Sequence, residues 1–303
     1  MTSQRPSNDG DDSNDDSSAG RQPQGTILVV GATGTIGCSL VPALAAASQP
    51  VRAASRSGRL PAALALAGVE PVALDLAAPT QLAAALDGID RMFLVNPAEI
   101  LDVEGTLAPV IDAAAARDIK VVLLSQHLAG EDPDGPYGRS ERRLQGSGAR
   151  HVILRPNWFI DNFHTFWAEG VASGTLELPA GDGRISLIDS RDIAAAAAAA
   201  LRSDRFDGQG IELTGPQAFD LHEATALLSA ASGRPLRYQP ISHERYLALL
   251  TRSGVPDDYA QMLASLFVLV RDGHAGTVTD GVRQMTGQAP RSLAGYAREQ
   301  ARR

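Results

Sequence analysis

The chain has 303 residues, 44% of them hydrophobic and 20% charged, and carries a formal net charge of −8. That is enough apolar material for one large domain or one and a half, and the acidic balance argues against a nucleic-acid partner, whose phosphates call for a basic surface. The single cysteine, Cys38, excludes an internal disulfide or a cysteine metal cluster and suits a reducing cytoplasm, while no apolar run reaches membrane-spanning length and no basic-then-apolar signal opens the chain.

Residues 1–24 are Ser, Asp, Asn and Gly with almost nothing to bury, and read as a disordered acidic tail. Residues 26–30, Thr-Ile-Leu-Val-Val, form a short aliphatic run suited to a strand buried on both faces of a parallel sheet. Gly31-Ala32-Thr33-Gly34-Thr35-Ile36-Gly37 follows, then an apolar helical stretch. Strand, glycine turn and helix make a dinucleotide-binding unit. Gly31 permits the tight turn, Gly34 lets the backbone approach a pyrophosphate, and Gly37 allows close helix–strand packing. The helix N-terminus offers amides and partial positive charge to the phosphates.

Further strands are expected at 50–55, 69–74, 91–95, 119–124 and 151–154. Helices are expected at 35–47, 60–67, 79–86, 100–117 and 138–147. This alternation predicts an α/β, Rossmann-like, doubly wound parallel sheet over residues 25–156. Beyond Pro156 it breaks down. Strands at 175–178, 184–187 and 211–214 mix with helices at 191–202, 220–231, 243–251, 256–270 and 293–301. Residues 157–303 therefore read as a smaller, helix-rich lobe interleaved with the sheet. The alanine run 194–200 reads as helix, with Asp189, Ser190 and Asp192 available to cap it.

Several positions carry chemistry. Arg56 closes the second strand, where an acidic residue would bind the ribose 2′-hydroxyl and an arginine accepts a 2′-phosphate. Residues 51–59 contain Arg52, Arg56 and Arg59 and no carboxylate, so NADP(H) is favoured over NAD(H). Asp75 and Leu76 follow the third strand, where the Asp75 carboxylate can accept from an adenine amino group or cap the next turn. Asn96 and Pro97 end the fourth strand and face the crevice beyond the strands' carboxyl ends. Ser125 and His127 end the fifth, as a hydrogen-bond donor and a candidate proton donor. No His, Cys, Asp and Glu set has metal-ligand spacing.

The glycine motif, the arginine after the second strand, Leu74-Asp75-Leu76 and Tyr137-Gly-Arg-Ser-Glu141 together resemble the NmrA-like branch of the atypical short-chain dehydrogenases/reductases. Residues 154–163 (Leu-Arg-Pro-Asn-Trp-Phe-Ile-Asp-Asn-Phe), 179–183, 189–194, 213–216 and the closing 289–298 are similar as well. The resemblance runs from Thr26 to the C-terminal region. It implies a NAD(P)-binding lobe with Pro156 and Asn157 near the cofactor, and a substrate pocket involving Asn157, Trp158 and Phe159. Phe163 and Trp167 add aromatic surface suited to a flat apolar substrate. Relatives of this kind reduce quinones, triphenylmethane dyes, iminium ions or enones, or sense the cofactor without turnover.

One departure stands out. Standard members use Tyr-x-x-x-Lys, the lysine lowering the tyrosine pKa; here Tyr137 is followed by Glu141. Tyr137 can then donate a proton but is a poor base, and a carboxylate beside it raises its pKa. The alternative reading has Glu141 merely favouring the first turn of a helix. The expectation is a cytoplasmic NADP(H)-dependent reductase, monomer or homodimer, delivering hydride to a quinone, enone or iminium type of aromatic or polycyclic substrate. A non-catalytic NAD(P) sensor and a non-redox cyclase or isomerase on the same fold are the alternatives.

Overall fold

The computed structural model describes residues 25–78 and 80–302; the expected tail at 1–24 lies outside them. Its frame is a seven-stranded sheet in the order β3-β2-β1-β4-β5-β6-β8, every neighbouring pair parallel. The strands are β1 (Thr26–Val29), β2 (Val51–Ser55), β3 (Val69–Ala73), β4 (Ile89–Val95), β5 (Lys120–Leu124), β6 (His151–Pro156) and, after β7 (Thr175–Leu178), β8 (Gly210–Leu213). Alternate residues serve opposite cores. Ile27, Val29, Phe93, Val122 and Val152 pack with α1 (Gly37–Ala46) and α6 (Ser190–Arg202). Leu28, Met92, Leu94, Val121 and Ile153 pack with α3 (Val103–Ala115) and α4 (Pro136–Gly146). Both faces are thus covered, which is why the central strands carry no polar alternation.

Strand order reverses at β1, so the carboxyl ends of β1 and β4 border a crevice at the topological switch point. The alanine run is α6, with Ala194, Ala196, Ala197 and Ala200 buried and Asp189 accepting from the Arg191 amide at its N-terminus. Such small side chains let this helix lie close to the sheet and to α1.

A third core holds the other lobe: Ile160, Phe163, Trp167, Leu176, Leu178, Tyr238, Tyr246, Phe267 and Tyr296. Around it stand α5 (Ala168–Ser173), α7 (Leu221–Ser232), α8 (His243–Arg252), α9 (Asp257–Arg271) and α11 (Leu293–Gln300). In the same lobe β7 pairs in parallel with β9 (Arg237–Pro240). α10 (Gly281–Thr286) returns to the sheet side, with Val282 and Met285 in the first core.

Several expected elements differ. The helix expected at 60–67 is one 3-10 turn, Ala62–Leu64, entered from extended Pro61 and followed by left-handed Gly68. The helix expected at 79–86 shrinks to α2 (Leu82–Ala85) before Gly88, also left-handed. That at 100–117 begins at Val103, where Asp102 accepts from the Gly105 amide. No strand forms at 184–187: Ile185 bridges Phe219, whereas the Ser186 amide bonds Ala275 and the Ile188 amide bonds Trp158. Neighbouring amides going to different segments cannot build a ladder. The strand expected at 211–214 in the helix-rich lobe is β8, an edge of the main sheet.

Candidate active site

The glycine turn sits at the carboxyl end of β1. Gly31 has φ +68, a conformation glycine adopts without strain. Its carbonyl accepts from the Gly34 amide at 2.9 Å. Thr33, Gly34 and Thr35 are exposed, while Ile36 and Gly37 are buried, Ile36 in the first core. Among the described residues no side chain caps α1, so its N-terminal amides have no side-chain acceptor. A Cβ on Gly34 would meet only the Gly31 carbonyl, at 3.2 Å, and otherwise open space. This bare, amide-rich bend fits a diphosphate.

At the end of β2, Arg56 is exposed and pairs with Glu99 at 3.1 Å. Arg52 turns away, donating to the carbonyls of Ala85 and Asp87 at 3.2 and 2.6 Å. Arg59 is exposed, and its carbonyl accepts from the Ser55 hydroxyl. Of the three arginines considered for a 2′-phosphate, Arg52 is therefore occupied elsewhere. Asp75 caps the turn that follows it, its Oδ1 accepting from the Ala77 amide, and Leu76 is buried.

Across the switch point, Asn96 is buried and donates to the carbonyls of Pro97 and Ile100 at 2.9 and 2.8 Å, which holds the loop after β4. Its Oδ1 is buried with no hydrogen-bond partner among the described residues, and the Asn96 side chain bears on the Tyr137 phenol at the start of α4. Burial pushes the Tyr137 pKa up, and the nearby Tyr259 phenol adds to the rise against the opposing pull of Asn96. Tyr137 is neutral at pH 7.

The sequence-based cause, a neighbouring Glu141, is corrected by the geometry. Glu141 lies in the second turn of α4, is buried, and faces inward. Its carboxylate accepts from Arg155 Nε at 3.0 and 3.2 Å, from Arg155 Nη2 at 2.6 Å, and from the Ser125 hydroxyl at 2.5 Å. So Glu141 is no first-turn helix charge, and Ser125 gives its only hydroxyl proton to Glu141. Arg155 needs room on the sheet. A Cβ at Gly130 or Gly210 would come within 2.5 or 2.9 Å of its guanidinium carbon.

His127 belongs to the same network. Its Nδ1 lies 2.7 Å from Glu212 Oε2 and its Nε2 3.1 Å from the His274 carbonyl, and Glu212 also approaches Arg155 at 3.7 Å. Both partners are acceptors, so the two contacts favour the doubly protonated ring, and as an imidazolium His127 ties β5, β8 and the 274–276 turn together. Burial opposes the charge, yet Glu212, the His274 carbonyl and more distant Glu131 together raise the pKa above 6.5. A raised folded-state pKa means stability that is fully present below the unfolded value and is lost as pH rises through the folded one. Urea unfolding at pH 6 and again above the raised pKa will show the wild type losing stability between them, and His127→Gln will lose less. Equal slopes in both proteins would remove the imidazolium assignment.

The segment after β6 is divided between roles. Pro156 is buried and its carbonyl accepts from the His127 amide. Asn157 is buried, with Nδ2 donating to Ser186 Oγ at 2.7 Å and the Ala275 carbonyl at 2.8 Å, while its Oδ1 accepts from the Trp158 amide at 2.8 Å. That amide side chain is engaged within the chain. Phe159 bridges Ile188 and packs on the first core rather than with the other aromatics. Phe163 and Trp167 are buried and back Trp158, which is half-buried.

Trp158 stacks on Trp167 at 5.9 Å and meets Phe267 at 4.7 Å; Phe267 meets Tyr246 edge-on at 5.4 Å. Burial pushes Tyr246 up to about 12, Tyr259 adding to the rise. Phe267 and Tyr246, which back Trp158, and Tyr259, which bears on Tyr137, were not expected here. Their only signal was their place on one face each of two helices far along the chain.

The model of the NmrA-like family matches residues 23–296. The NAD(P)H azoreductase of Xenophilus azovorans is 35% identical over 281 residues, 91% of this chain and 98% of that protein. Quinone oxidoreductase 2 of Escherichia coli is 32% identical over 249 residues, 78% of this chain and 85% of the relative. A crystal structure of NADPH-dependent quinone oxidoreductase QOR2 from E. coli, complexed with NADPH, superposes with a TM-score of 0.79 at 27% identity, covering 90% of this chain and 99% of that one.

Proposed function

The chain belongs to the NmrA-like family, and from that premise we propose that it is an NADP(H)-dependent reductase of flat, apolar, electron-poor acceptors of the quinone, enone, iminium or azo kind. The bend at Gly31–Gly37 would hold the diphosphate through its amides, and Arg56 the 2′-phosphate. The nicotinamide, when bound, supplies hydride; the protein supplies placement and exclusion of water.

The observation that carries this reading is the environment of Tyr137. Its phenol is neutral, has the Asn96 side chain bearing on it and has no cation four residues on, because position 141 holds a carboxylate bound to Arg155. Proton exchange with an alcohol, which needs a lowered tyrosine pKa, is unsupported here. An acceptor that takes hydride with little acid assistance suits the site, with Tyr137 able to donate a proton afterwards. Trp158, backed by Trp167 and Phe267, offers a broad aromatic surface for such an acceptor. The azoreductase and quinone reductase among the relatives support the same class.

Stopped-flow mixing of the full chain with NADPH and a panel of quinones, azo dyes, enones and simple ketones tests the proposal. Loss of 340-nm absorbance is expected with conjugated acceptors and not with ketones. Turnover confined to ketones would overturn the reading, and tight cofactor binding without any turnover would favour a sensor.

A further inference from the structure

Arg56 and Glu99 stand 43 residues apart and meet at 3.1 Å. Arg56 follows β2, and Glu99 lies in the loop after β4, which Asn96 pins through the Pro97 and Ile100 carbonyls. Between β2 and β4 lies only β1, at whose carboxyl end the glycine turn sits. Two strand spacings of about 4.8 Å separate the pair's backbones. The ion pair therefore spans the mouth of the crevice in front of the bend that suits a diphosphate. Glu99 also bears on the Tyr259 phenol of α9, which places it at the rim between the lobes.

Residues 51–59 supply no carboxylate, and Arg52 is held by the Ala85 and Asp87 carbonyls. Among the described residues, Glu99 is the one carboxylate paired with Arg56. Both side chains are solvent-exposed, at 76% and 59%. A pair this exposed is weak and readily exchanged. A phosphate offers the same guanidinium more charge and a bidentate geometry.

We propose that Glu99 is a specificity-determining residue, a built-in competitor that occupies Arg56 across the nucleotide groove and yields to a 2′-phosphate. It rests on the NADP(H) reading above. The bridge has two consequences. A nucleotide carrying the 2′-phosphate replaces the lost partner of Arg56. One lacking it leaves the bridge standing, since nothing it carries competes for the guanidinium. Glu99 thus reduces the apparent affinity for phosphorylated cofactor by the fraction of molecules in which Arg56 is occupied.

Calorimetric titration of the full chain with 2′,5′-ADP and with 5′-AMP reads this directly. Wild type should bind 2′,5′-ADP more tightly than 5′-AMP. Glu99→Gln should tighten 2′,5′-ADP by about threefold and leave 5′-AMP within error, with an unchanged thermal midpoint because the pair is exposed. In an Arg56→Ala background the same substitution should bring no such gain. An unchanged or weakened 2′,5′-ADP affinity in Glu99→Gln, an equal gain for both ligands, or a gain that persists without Arg56 would overturn the proposal while leaving the cofactor reading intact. If wild type binds the two ligands alike, the NADP(H) preference itself falls, and this inference with it.

Discussion

Glu141→Ala will cost about 3–5 kcal/mol of folding stability, the range for breaking a buried ion pair from one side. Glu141 is 2% exposed, and among the described residues its carboxylate accepts from Arg155 and Ser125 alone. Truncation leaves a guanidinium that cannot shed its charge on the sheet surface, with Glu212 at 3.7 Å and more distant Glu131 as the carboxylates still acting on it. Water cannot fully replace the lost partner, since the Arg155 side chain is only 17% exposed. Glu141→Gln should cost less, because the amide oxygen keeps one acceptor. The paired change Glu141→Leu with Arg155→Met should recover most of the loss, as apolar replacement of both partners removes the stranded charge. Urea unfolding monitored by circular dichroism measures all three. A single Ala variant within 1 kcal/mol of wild type, or a paired variant no better than the single one, would show that the network does not hold α4 to the sheet.

The same geometry governs Glu141→Lys, which restores the Tyr-x-x-x-Lys spacing on paper. The new ammonium would face Arg155 and Ser125 with no carboxylate between the cations. The expected product is an unstable protein, not a ketone reductase.

Much of this was legible in the sequence, and the reasons differ by residue. The parallel sheet announced itself because a strand buried on both faces must be continuously apolar, as Ile27-Leu28-Val29 and Val121-Val122-Leu123 are. The glycine turn was legible because Gly31, Gly34 and Gly37 each meet a separate backbone demand. The partnerships of position 141 were not. A glutamate four residues after a tyrosine is compatible with a helix charge, a neighbour of the phenol or a buried partner of a distant strand. Only the register of β5 and β6 brings Ser125 and Arg155 to it. Asn157 was likewise ambiguous. Its role as a clamp depends on Ser186 and Ala275, which lie 29 and 118 residues away. His127 looked like a loop acid because nothing local reveals that Glu212 and the His274 carbonyl surround its ring. The aromatic backing was half legible: Trp158 stood in a dense aromatic segment, but Phe267 and Tyr246 pack behind it from helices whose amphipathic faces look like any other core.

Gly37→Ala will remove pyridine-nucleotide binding and weaken the fold, whereas Gly34→Ala will affect binding alone. A Cβ at position 37 would fall well inside contact distance of the Gly31 carbonyl oxygen and 2.6 Å from Ala32 Cα. These are backbone atoms of the turn itself, so no side-chain rotation relieves the clash, and the bend must open or α1 must move off β1. Overpacking of this kind costs about 1–3 kcal/mol. Because the same atoms shape the amide-rich bend, the cradle distorts with it, and NADPH affinity should fall by more than about tenfold, or 1.4 kcal/mol. At Gly34 the added methyl meets only the Gly31 carbonyl, at 3.2 Å, so the turn can accommodate it with a small shift. It projects instead from the exposed surface that a diphosphate would approach, and nucleotide affinity should drop with the thermal midpoint nearly unchanged. Differential scanning fluorimetry with and without NADPH separates the two effects in one experiment. Wild type should gain a ligand-dependent rise in midpoint, Gly34→Ala should start from the same midpoint with little rise, and Gly37→Ala should start lower with none. A Gly37→Ala protein that binds and melts like wild type would mean that the turn does not pack as tightly as its atoms dictate, and the diphosphate site would have to lie elsewhere.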